Sequence, residues 1–225
     1  MTAEAAQRHH AIASRSDGEV TEPVSVIQGR PNFGVERALP VSEPLPTWMA
    51  SARYGVRPAP AGLALVEDLL NTRYNADHGP DMLFDAVQAQ RWVDAAVRAW
   101  SAQRGADGLA PTMTDHDAAQ LRGLRDSLDA VVAGFPFDSH DRSVGSAVLT
   151  VSVMGELAWT PTGSGWRWLA SAVWGEVLLS QRAGTWQRLK QCRNPTCRST
   201  FYDRTWNKRS LWHNPIACDP ARRLR

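Results

Sequence analysis

The chain of 225 residues holds only three cysteines, three tyrosines and five phenylalanines. So few thiols in a chain of this length exclude a secreted scaffold held by disulfides and fit a reducing, cytoplasmic compartment. No apolar run approaches the ~18–20 residues that cross a bilayer. Met1 to Asp17 lacks the hydrophobic stretch of a secretory signal. No membrane association is therefore expected. GxSxG, HExxH, a P-loop and a GxGxxG opening a helix after a strand are also missing, and the chain is expected not to be an enzyme. The 16 glycines and 14 prolines show no collagen-like pattern, while 43% hydrophobic residues suffice for a core.

What is abundant is tryptophan, with ten residues, and a lopsided distribution of charge. Residues 182–225 contain eleven Arg and Lys against Asp203 and Asp219, a net of +9, whereas the whole chain carries only +2. The remainder is therefore acidic, at −7. A basic tail on an acidic body suggests a polyanionic partner, most often nucleic acid. Solubility of a small module is the competing reason for such charge.

Residues 1–47 read as a disordered tail. They mix Ala, Ser, Glu and Gln with five prolines between Pro23 and Pro46, and no apolar period persists. The His9-His10 pair is read as inert. A body follows over 48–187. Leu63, Leu65, Val66, Leu69 and Leu70 have helical spacing, ending near Asn71. A second helix is expected over 86–104, its stripe formed by Ala86, Val87, Trp92, Val93, Ala96, Val97 and Trp100, with Gly105 as its stop. Thr114 can cap a third, with Asp117 completing a capping box, and Leu121, Leu124, Leu128, Val131 and Val132 lie on its inner face. Residues 147–153 read as a strand that turns at Gly155 and returns over 156–160. A last helix is expected from Trp166 to Gln181, with Trp174, Val177 and Leu178 facing inward and Gly184 after it. Trp92, Trp100, Trp166 and Trp174 are read as core. The fold class expected is mainly α with a small β-hairpin.

All three cysteines fall in the last 34 residues. Cys192 and Cys197 bracket Asn194-Pro195, a turn that brings two soft ligands together. His213 and Cys218 repeat the four-residue interval, fifteen residues further on. This is the spacing of a structural zinc site. A segment of ~35 residues lacks a core of its own and needs such a staple. Nearby arginines would lower the thiol pKa values and favour capture of the ion. One structural Zn2+ is the expected cofactor, with ligand atoms roughly 3.3–4 Å apart. A Cys192–Cys197 disulfide is the alternative.

These residues resemble the CGNR-type zinc finger proteins, which carry an N-terminal ABATE domain and are described as stress-induced bacterial transcription regulators. Cys192 and Cys197 match the family's first pair. Phe201, Tyr202, Asp203 and Thr205 match the segment after it, Trp212 the family tryptophan, and Cys218 the fourth ligand. Asn71-Thr72-Arg73 resembles the opening motif of the ABATE domain, and Arg188 to Cys192 the approach to the first ligand. The resemblance implies a helical ABATE-like domain over 48–187 and a treble-clef-like finger over 188–225. Two positions depart from it. His213 stands where the third cysteine would be, giving a Cys3His site. Cys218-Asp219-Pro220-Ala221 lacks the Gly, Asn and Arg of the tetrapeptide, and only seven residues follow Cys218. Asp219 can cap, and Pro220 can open, a short helical turn there.

The leading expectation is a DNA-binding transcriptional regulator whose body senses a small-molecule effector or forms a homodimer. Arg193, Arg198, Arg204, Lys208, Arg209, Arg222, Arg223 and Arg225 are the candidate DNA contacts, mostly to phosphates. The alternative is a zinc-stabilised protein-interaction or ligand-binding module that no longer reads DNA sequence, because a recognition helix has no room. The Asp115-His116-Asp117 and Asp138-Ser139-His140-Asp141 clusters are read as solvated surface rather than acid/base groups.

Overall fold

The structure, a computed structural model, describes residues 47–105, 108–136 and 145–223. The expected disordered tail and the Asp138–Asp141 cluster lie outside these. The described residues belong to one compact unit, and its middle is a short helix that the sequence marks by the helical spacing of Leu63, Leu65, Val66, Leu69 and Leu70. This helix, α2 (Leu63–Leu70), follows α1 (Met49–Ala52), and all eight of its residues are buried. A helix with no polar face can exist only if it is wrapped on every side. Here α1, α3 (Ala86–Arg104), α4 (Asp115–Val132) and α5 (Trp166–Arg182) pack around it. Each fully buried Leu or Val contributes about 1.5–3 kcal/mol relative to exposure.

The outer helices start where their capping residues say they should. Asp85 caps α3 by accepting from Gln88 N at 2.8 Å, and Gly105 ends it in the left-handed region at φ 62°. Thr114 and Asp117 form the expected capping box on α4. Asp117 does more than the pattern implies. Its Oδ1 accepts from Trp166 N at 3.0 Å and so holds the first turn of α5 as well. Gly165 permits this approach, since a Cβ there would lie 2.3 Å from that same oxygen. Asp115 Oδ1 likewise accepts from Ala86 N, at the start of α3, at 2.8 Å. Both acids of the first cluster thus serve helix starts.

Trp92 and Trp100 are buried as expected, whereas Trp166 and Trp174 are half-buried. Val87 and Leu178 were placed on inner faces but are exposed. Helical spacing sets a direction around the axis but not whether a neighbouring element covers that position. Between α4 and α5, β1 (Ala147–Val151) pairs antiparallel with β2 (Leu157–Pro161). The first strand stops two residues short of the expected Val153, because Ser152 N bonds to Glu156 O and begins the turn. Instead of one hairpin there are two. The second joins β3 (Leu189–Gln191) to β4 (Thr200–Tyr202). Three-residue strands carry too little alternation to be recognised.

The all-round burial of α2 includes two carboxyls. Asp68 accepts from Ser51 N at 2.7 Å and from Trp92 Nε1 at 2.8 Å. Burial pushes its pKa up to about 6 despite these donors. Glu67 accepts from Ala59 N at 2.7 Å. It too is withdrawn from water, and burial raises its pKa from 4.5 to about 8. Between these two values the native state keeps a proton that the unfolded chain has released. Glu67 therefore costs stability progressively as pH rises through that window. The urea midpoint of the wild type, relative to that of Glu67→Gln, is expected to fall between about pH 5 and about pH 8.5. A pH-independent difference would refute the assignment.

Candidate metal centre

The site is assembled from the turn between β3 and β4 and from the segment leading into two short terminal helices. Asn194 Oδ1 accepts from Thr196 N at 3.1 Å and Thr196 Oγ1 at 2.8 Å, folding the residues between Cys192 and Cys197 into an Asx turn. Cys192 N bonds to Ser199 O at 2.8 Å and Cys197 N to Asn194 O at 3.0 Å, so both thiols are presented on one side. Arg198 closes the turn at φ 51°, an uncommon conformation for a residue with a side chain. Arg193 N reaches Leu211 O at 2.9 Å, which brings the segment carrying His213 alongside. Asn214 then caps α6 (Pro215–Cys218), accepting from Ile216 N and Ala217 N. The helical turn lifts Cys218 back toward the other donors.

One ligand atom from each of Cys192, Cys197, His213 and Cys218 lies within 4.8 Å of the others. His213 Nδ1 stands 3.3 Å from Cys197 Sγ and 3.5 Å from Cys218 Sγ, within the interval expected for ligands of one tetrahedral ion. The three thiols are buried, and none is in a disulfide. Hydrogen bonding from Cys192, His213 and Ser199 pulls the Cys197 thiol down to about 3. Its partner Cys192 is pushed up, chiefly by that same sulfur pair, and Cys218 is raised by burial. Protons thus stabilise one thiolate at the centre of the cluster. A cation in their place would stabilise three. Three thiolates and one imidazole are a soft donor set, and the four residues can hold one metal ion.

The helical body completes this site. Tyr54 and Val56, just beyond α1, pack with the three cysteines, Phe201 and Trp212 in a small apolar cluster. Tyr54 also stacks on His78 at 4.3 Å and lies edge-on to His213. The loop after α2 supplies polar anchors. Asn71 pairs with the backbone of Thr200 in both directions, Nδ2 donating to O at 2.9 Å and Oδ1 accepting from N at 2.8 Å. Asn75 Nδ2 donates to Thr196 O at 2.8 Å and Cys197 O at 3.1 Å. That loop is itself held by Arg53, which donates to the carbonyls of Asn71, Arg73 and Pro80. Arg125, buried, adds bonds to Thr72 and Asp81. Reading the sequence missed these polar anchors; the clustering of Asn and Arg after a leucine-rich helix was the available signal.

The candidate DNA contacts divide. Arg193, Lys208 and Arg209 are exposed, and their side chains make no bond among the described residues. Arg198 instead turns toward Asp129 at 3.7 Å. Arg204 donates to Pro58 O at 2.5 Å and lies over the Tyr202 ring. Both are partly committed to the body. Arg222 and Arg223 close α7 (Pro220–Arg223), and Asp219 Oδ1 accepts from Ala221 N at its start, as expected. Arg225 lies outside the described residues. Among the described residues no helix is long and apolar enough to cross a membrane. No family model, no curated protein and no solved structure matches the chain.

Two outcomes are expected. Asn71→Ala strands the N–H and C=O of Thr200 in a buried place and should lower unfolding free energy by about 2–4 kcal/mol, measured by urea denaturation. Titration of the reduced, metal-stripped chain with Co2+ should saturate at one equivalent, with the absorption of a tetrahedral thiolate site. Cys218→Ser should weaken that uptake by more than the about 10–100-fold that losing an outer-shell partner costs.

Proposed function

We propose that this protein is a zinc-stabilised DNA-binding protein of the transcription-regulator kind, its helical body serving as sensor or pairing domain. The observation that carries the reading is the convergence of Cys192, Cys197, His213 and Cys218. Cys3His is a donor set of structural zinc, and four protein ligands leave no open position for chemistry at the ion. Zinc would contribute about 10–16 kcal/mol to folding such a module at neutral pH. The ion's role is then to hold a treble-clef-like finger, and the finger's role is to present cations. Arg193, Lys208 and Arg209 supply the first set, with Arg222 and Arg223 at the terminal helix. Such side chains neutralise phosphates and release counterions, which yields affinity with little base preference. The resemblance of the cysteine motif to the CGNR fingers supports the same reading.

A second reading, that of a zinc-stabilised interaction module without sequence-specific DNA reading, draws on two features. The tetrapeptide Cys218-Asp219-Pro220-Ala221 lacks the Gly, Asn and Arg of the motif that it resembles. Val148, Leu149, Val151 and Leu157 of the first hairpin are exposed, a surface suited to another protein or a second copy.

A salt series on duplex DNA with the zinc-loaded full chain tests the leading reading. Affinity should fall steeply with salt, and replacing Arg193, Lys208 and Arg209 with Ala should flatten the log–log slope by about 2–3 units. Absence of binding at low salt would favour the interaction module.

A further inference from the structure

The loop between β4 and Ser210 spends several interactions on its own order. Asp203 is 1% exposed. It accepts from Lys190 Nζ at 2.7 Å, Thr205 N at 2.9 Å, Thr205 Oγ1 at 2.6 Å and Ser210 N at 3.0 Å. These donors hold its carboxyl down at about 2. Arg188 donates to the carbonyls of Asp203 and Thr205, and Lys190 also reaches that of Lys208. Lys208 adopts φ 53°, which turns the chain back. Main chain on both sides of residue 206 is thereby pinned.

At the tip of this pinned loop Trp206 is 95% exposed, and its indole has no partner among the described residues. A tryptophan held out from an ordered loop forfeits the burial of a large apolar ring. Its surroundings are positive. Arg204, Lys208 and Arg209 flank it, and between Arg204 and Cys218 the sequence has no acid. The acid that begins the loop is buried and paired.

We propose that Trp206 is a stacking platform for an unpaired nucleobase, so that this face takes single-stranded nucleic acid in preference to duplex. An aromatic ring on a cationic surface is the common arrangement for binding single strands with little sequence preference. In a duplex the base faces are already covered by their neighbours, and an indole reaches one only at a kinked step. The inference rests on the nucleic-acid reading above and narrows its partner.

The test compares an oligothymidine of about 15 nucleotides with a duplex of the same length, by fluorescence anisotropy of the labelled nucleic acid, using the zinc-loaded full chain. The single strand should bind at least about tenfold tighter at equal salt. Trp206→Ala should weaken that binding by about five- to a hundredfold, the loss of one base stack, and Trp206→Phe should restore most of it. The salt slope of Trp206→Ala should stay that of the wild type, because no phosphate contact is lost; Lys208→Ala should reduce it. Unchanged affinity in Trp206→Ala, or equal affinity for both forms, overturns the inference while leaving the nucleic-acid reading intact. Failure of the wild type to bind either form overturns both, and binding only to anionic vesicles would assign the loop to a membrane surface instead.

Discussion

Four side-chain donors from separate turns meet at one point, and the C-terminal segment is arranged around keeping them there. An Asx turn sets the first pair, an irregular segment brought alongside it delivers the imidazole, and a capped helical turn returns the last thiol. None of these local devices is strong alone. Each is a hydrogen bond or two, contributing about 1 kcal/mol net. Their effect is cumulative because all of them act on the same few atoms. Crowding three thiols and an imidazole is unfavourable unless something positive, protons or a cation, lies among them.

The helical body solves a different problem. Helix α2 is buried on every side, its two carboxyls included, and needs complete cover, of which four helices supply most. The last part comes from β4, so the short hairpin is a wall of the core as well as the flank of the metal centre. Polar groups are tolerated at this junction because each finds a defined partner. Asn71 extends the ladder of β4 with its own amide, and Asp68 ties α1 to α3 through Ser51 and Trp92.

Much of this was legible in the residues. Helix ends announced themselves through Thr114, Gly105 and Gly184, since caps and left-handed stops act locally; the Asp85 cap of α3 was passed over. The four ligands were legible for the same reason: two matched intervals need no knowledge of the fold. What could not be read was everything settled by distant neighbours. Spacing gives the direction of Val87 and Leu178 but not whether anything covers them, and the dual use of Asp117 depends on a glycine 48 residues away. The second hairpin is defined by pairing rather than by pattern. Charge was legible as a total but not as a division of labour. Of the basic residues, Arg188 and Lys190 order a loop and Arg125 supports another, while Arg193, Lys208 and Arg209 stay free.

The covering of the sulfurs by Tyr54 and Val56 has an evolutionary and practical corollary. A C-terminal segment that borrows part of its roof from a sequence more than a hundred residues upstream is not a portable cassette. Excised or grafted onto another host it would arrive with a bare apolar flank and two orphaned backbone groups at Thr200. Recombination would have to move this segment and the helices that cover it as one inheritance.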